Sequence, residues 1–205
     1  MTKVRNRRTA AAAALLAAGL LITGCTTSAP QAGAAATLGD SRITEQQLTD
    51  QVQAILVAQR QPVDTPNAQL TAQTLSRMIS LELVNKLAIT HGVVITQGDI
   101  DQQLSQFDQQ AGGRDQVLKI FAEQGVAPNQ INAVVRLDLQ AQQLGVKLDP
   151  HGSAEQQGAA LVNEVAKLSK DLGVEASPRF GTWDPLSLQI TPGGSDLTAP
   201  PALAK

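Results

Sequence analysis

His91-Gly92-Val93-Val94-Ile95-Thr96-Gln97-Gly98-Asp99-Ile100 is a helix stop followed at once by a helix start. Gly92 suits the left-handed position that closes a helix, and Val93 is the apolar residue that packs back on the last turn. Thr96 then offers a hydroxyl to the amide of Asp99, whose carboxylate can reach back, while Ile95 and Ile100 stand where a hydrophobic staple needs them. A chain that ends one helix and begins the next within a few residues is a helical domain with short connections.

The same punctuation recurs on both sides. Upstream, Ala68 to Thr90 is expected to form one long helix carrying Leu70, Leu75, Met78, Ile79, Leu81, Leu83, Val84, Leu87 and Ile89. Apolar residues on more than one face mark it as central and buried. Before it, Thr44-Glu45-Gln46-Gln47 fits a capping box with Ile43 and Leu48 as staple, opening a helix whose stripe is Leu48, Val52, Ile55 and Leu56 and which ends by Gln61-Pro62. Further upstream, Ala35 to Leu38, Gly39-Asp40 and Ser41 to Ile43 read as strand, turn and second extended piece.

Downstream, a third helix turns Ile100, Leu104 and Phe107 inward and breaks at Ala111-Gly112-Gly113. A short fourth helix spans Asp115 to Gln124 and closes at Gly125-Val126. Pro128 suits the first turn of a fifth, which carries Ile131, Val134, Val135, Leu137, Leu139 and Leu144 and is expected to end at Gly145-Val146. A sixth runs from Ser153 to Leu172 with Leu161, Val162, Val165, Leu168 and Leu172 on one face, closing at Gly173-Val174. An extended stretch through Ile190 follows. The fold class is therefore mainly α, about six helices in one domain over residues 35–190, with short strands at its two ends. The Pro/Gly-containing residues 191–205 read as a disordered tail.

The first residues differ in kind. Lys3, Arg5, Arg7 and Arg8 precede an uncharged, Ala- and Leu-rich run from Thr9 to Gly24, the pattern of a secretory signal over residues 1–24. The run is shorter than the ~20 residues a membrane-spanning helix needs. It closes on Leu21-Ile22-Thr23-Gly24-Cys25, which resembles the lipobox of bacterial lipoproteins: a cysteine nucleophile that accepts a diacylglyceryl group, behind small residues that a peptidase cleft admits. Cys25 is the only cysteine, so an internal disulfide and a cysteine-based metal cluster are excluded. Residues 25–34 read as a lipidated N-terminus and uncharged tether. The expected location is the extracytoplasmic face of a cell membrane, held by lipid on Cys25.

Sixteen Lys and Arg against 18 Asp and Glu give a net charge of −2. Without the four basic residues of the signal, 12 stand against 18, near −6. Such a chain is a poor nucleic-acid binder. With no Tyr, three Phe and one Trp, the core is aliphatic, as suits packed helices.

The order of elements from Ala35 to Leu148 resembles the N-terminal chaperone domain of the SurA and PrsA group of envelope foldases. The marks are Ala36-Thr37-Leu38-Gly39-Asp40-Ser41-Arg42-Ile43-Thr44, the helix Leu75 to Ile89, the junction quoted first, and Phe121-Ala122-Glu123-Gln124-Gly125-Val126 before a further helix. The segment Pro178-Arg179-Phe180-Gly181-Thr182-Trp183-Asp184 looks like the close of short, isomerase-free SurA-like lipoproteins of high-GC Gram-positive bacteria. Full-length members of the group place a parvulin prolyl isomerase before the last helix. Only Asp149-Pro150-His151-Gly152 stands there in this chain, so the resemblance carries over no isomerase activity.

Catalytic and cofactor patterns are missing from the sequence: there is no phosphate-binding loop, dinucleotide fingerprint or nucleophile elbow. Two isolated histidines, His91 and His151, do not make a metal site. Asp99 is explained as a cap. The expected function is an ATP-independent, membrane-tethered chaperone-like protein that binds exported unfolded polypeptides in an apolar cradle between helices. The competing reading is a scaffold that docks one dedicated envelope partner. Candidate peptide contacts are Met78, Arg179, Phe180 and Trp183, for which a packing role stands ahead of a binding one.

Overall fold

A computed structural model describes residues 33–64 and 67–191. The expected signal peptide, Cys25 with its lipid, most of the tether and nearly all of the tail lie outside the described residues. The chain opens with a hairpin, β1 (Ala34–Leu38) and β2 (Ser41–Thr44), followed by α1 (Glu45–Ala58), α2 (Ala68–Thr90), α3 (Gln97–Ala111) and α4 (Arg114–Glu123). A 3-10 turn, Pro128–Gln130, leads into α5 (Ile131–Leu148), then α6 (Ala154–Asp171) and three short strands, β3 (Glu175–Ala176), β4 (Thr182–Asp184) and β5 (Gln189–Thr191).

The start signals act as the sequence implies. Thr44, Thr96 and Ser153 each cap a helix through a reciprocal capping box, with Gln47, Asp99 and Gln156 as partners. The stop at Gly92 is a full Schellman motif: Val93 N–H donates to the Ala88 carbonyl at 2.8 Å and Gly92 N–H to that of Ile89 at 3.2 Å. Gly125-Val126 and Gly173-Val174 repeat it. Arg60 plays the same part after α1 with φ 57°, a left-handed conformation that costs a residue with a Cβ about 1 kcal/mol or more.

Gly145 is different. It lies inside α5, buried, and the helix runs on to Leu148. The expected stop at Gly145-Val146 is therefore corrected: a Cβ on Gly145 would meet Gln157 of α6, with its Cβ at 3.1 Å and its carbonyl oxygen at 3.3 Å. Here the missing side chain lets two helices approach closely rather than ending one.

Around α2 the core assembles. This helix touches α1, α5, α6, β1 and β5, and Leu75, Ile79 and Leu83 are fully buried. Ile89, expected inside, is instead 72% exposed, because it lies on the face of α2 turned away from the core that buries Leu87 and Ala88. Two hydroxyls buried on the same helix, Thr74 and Ser76, donate to the carbonyls one turn back at 2.7 Å, which satisfies them without a partner helix.

The opening hairpin and the strand that follows α6 meet in one sheet of order β2-β1-β3, all antiparallel. The hairpin tip docks on the end of α6 through Gly39 N–H to the Leu172 carbonyl, 2.9 Å. The single extended stretch expected after α6 is corrected to β3 and a separate β4–β5 hairpin, since Asp184 turns the chain by accepting the Leu186 amide and the Ser187 hydroxyl. Ile190 N–H then donates to Ser76 Oγ at 2.7 Å, fastening the hairpin to α2. The unit from residue 33 to 191 thus closes on itself and carries its own hydrophobic core. None of its helices is long and apolar enough to cross a membrane.

Candidate functional site

The Gly112-Gly113 break sets the geometry of the site. Both glycines have positive φ, 85° and 126°, and fold α4 directly back on α3. At its other end α4 is held by Arg77 of α2, whose guanidinium donates to the carbonyls of Gln124 and Gly125. Burial of this guanidinium lowers its pKa, but an arginine remains protonated at any physiological pH. A helix of 10 residues held at its ends does not fill the space between α3 and α5.

What remains is an apolar cavity of about 540 Å³, within the range of ligand sites. Each wall is one helical face. From α3 come Phe107, Gln110 and Ala111; from α4, Val117, Ile120, Phe121 and Gln124; from α5, Val134, Val135 and Asp138. The Phe107 and Phe121 rings meet with centroids 6.1 Å apart and planes tilted by 58°, an attractive edge-to-face range. Asp138 is the only charged wall residue and accepts a hydrogen bond from Gln142 Nε2 at 2.8 Å. Across α4 lies a second cavity of about 710 Å³, bordered by four charged residues, Arg60, Asp115, Lys119 and Glu123.

The residues singled out in the sequence lie elsewhere. Met78 is half-buried against the core of α2. Trp183 is 8% exposed and donates its indole N–H to Ser169 Oγ at 2.8 Å. Arg179 pairs with Glu45 at 2.7 Å and lies over the Phe180 ring, 5.1 Å from its centroid. Phe180 lines a shallow recess with Leu48, Val52 and Leu56. These four belong to other parts of the molecule than the α3–α5 cavity. Cys25 is outside the described residues. Phe107, expected inside, and Phe121 are both half-buried and face the cavity. The available signal was that two of only three phenylalanines flank one Gly-Gly break.

Among the described residues no three His, Cys, Asp or Glu side chains converge as metal ligands would. The cavity offers apolar contact, two amide side chains and one carboxylate.

A family model described as the SurA-like N-terminal domain matches residues 1–145. No curated protein and no solved structure matches the chain.

Proposed function

The chain belongs to the SurA-like N-terminal domain family, a chaperone-like family, and from that premise we propose that it is a lipid-anchored, ATP-independent holding factor for exported, unfolded polypeptides. The observation that carries the reading is the open apolar cavity of about 540 Å³ between α3, α4 and α5. Exposed apolar side chains of an unfolded client gain roughly 25 cal/mol per Å² on leaving water. The cavity supplies such a surface without a catalytic group, and Gln110 and Gln124 can hydrogen-bond client backbone of any sequence.

The anchor is supported by the sequence. Lipid on Cys25 would hold the domain where exported chains emerge and raise its effective concentration there. Labelled palmitate incorporated by the full chain and lost in Cys25→Ala tests that part.

For the holding activity, a protein comprising residues 26–205 is expected to suppress aggregation of several unrelated unfolded proteins at near-stoichiometric amounts without nucleotide. Val134→Asp, which places a charge on the cavity wall, is expected to lose that effect with unchanged helicity. Suppression of no client would overturn the reading, and retention of one folded partner in a pulldown would replace it with a dedicated scaffold.

A further inference from the structure

We propose that the α3–α5 cavity selects client segments in which apolar side chains lie beside a lysine or arginine, with the Asp138 carboxylate receiving the cation. This rests on the reading that the cavity holds client segments, and it adds the class of segment held.

The charges around the cavity point this way. Arg114, at the start of α4, is engaged by Asp108 at 2.8 Å, and Lys119 by Glu123 at 3.9 Å on the exposed face of α4. Asp138 has no ion pair among the described residues. Its neighbour Gln142 donates a neutral amide, which orients the carboxylate and leaves its charge uncompensated. Asp138 is exposed beside the apolar wall, so its carboxylate is accessible to a cation from solvent. Without the signal segment, 12 basic residues against 18 acidic ones draw cationic segments in the same direction.

Spacing sets the pattern. Asp138 stands one turn beyond Val134 and Val135 on the same wall, about 5.4 Å along the helix. An extended peptide advances roughly 3.3 Å per residue. A client whose apolar side chain rests on Val134 thus brings a basic residue to Asp138 within the next two or three positions. A lysine or arginine stem would lie along the apolar wall while its charge stays at the rim.

The test titrates the residue 26–205 protein with three fluorescent peptides that share one leucine-rich core and differ only in lysine, glutamine or glutamate flanks. The expected order of affinity is lysine, glutamine, glutamate. The outer two should differ by about three- to fivefold in low salt, the difference shrinking as salt rises. Asp138→Asn should abolish that difference. Asp115→Asn, at the second cavity across α4, should preserve it.

Equal binding of the three peptides, or discrimination that survives Asp138→Asn, would overturn the selectivity and leave the holding function standing. Failure of every peptide to bind would overturn both. Concentration-dependent dimerisation that excludes the peptides would make a second copy of the chain the occupant and overturn the proposal as well.

Discussion

Gly145 of α5 and Gln157 of α6 stand so close that a Cβ on the glycine would lie 3.1 Å from the Cβ of Gln157 and 3.3 Å from its backbone oxygen. Backbone cannot yield as a side-chain tip can, so this contact holds the two helices at a fixed separation. Gly158, on the exposed side of α6, has nothing within 4 Å of the same position. Two helical glycines therefore predict opposite signs. Gly158→Ala should stabilise by about 0.5–1 kcal/mol through helix propensity. Gly145→Ala gains the same propensity but pushes α6 away at a cost of ~1–3 kcal/mol, for a net loss. Urea titration of the two variants checks this; stabilisation by both would show that α6 yields freely.

Ser76→Ala should lower stability by about 1–3 kcal/mol, because Ile190 N–H loses its acceptor in a buried place. The C-terminal hairpin should loosen first, so protease cleavage after α6 should accelerate more than cleavage elsewhere. Ser169→Ala predicts a similar loss through the orphaned indole of Trp183, visible as a shift in the fluorescence of the single tryptophan. An unchanged urea midpoint in both variants would contradict the account.

The capping box at Thr96 carries a pH signature. Asp99 accepts the Thr96 hydroxyl at 2.7 Å and the Thr96 amide at 2.8 Å, and these bonds hold its pKa below the ordinary 3.8. A carboxyl with a depressed folded value contributes stability that is complete above 3.8 and is lost as pH falls through the lower folded value. Asp99→Ala should therefore be less stable than the parent at neutral pH, with the gap closing as pH drops below 3.8. A gap independent of pH would assign the effect to packing.

Amide exchange should find α4 opening before any other helix. Its buried side chains are only Val117 and Ala122, cavities flank it on two sides, and Gly113 gives it no side-chain cap. The interior amides of α2 should exchange only with global unfolding. A peptide bound in the apolar cavity should slow α4 selectively. Equal protection of α2 and α4 would show that α4 is an integral part of the core.

Much of the architecture was legible from local chemistry. Thr44, Thr96 and Ser153 announce helix starts because an N-cap bond spans three residues, and Gly92, Gly125 and Gly173 announce stops because a Schellman turn spans six. The long central helix was legible from its apolar content, and the family from the order of these elements. Where the meaning of a residue depends on a distant neighbour, the sequence was silent. Gly145-Val146 has the composition of the three true stops, yet its glycine serves a contact with Gln157, and Ile89 continues the apolar pattern of α2 on the face that turns to solvent.

The candidate site belongs to this second class. Phe107, Phe121 and Val134 are apolar residues at core spacing, and nothing local distinguishes a filled interior from an open one. By itself the sequence determined where helices begin and end and which faces are apolar, because those are set by interactions within a few residues. Only the tertiary structure decided that the 10-residue α4, turned back at Gly112-Gly113 and held by Arg77, leaves a cavity beside α5. A void is set by the lengths and separations of packed elements, and those are properties of the whole chain.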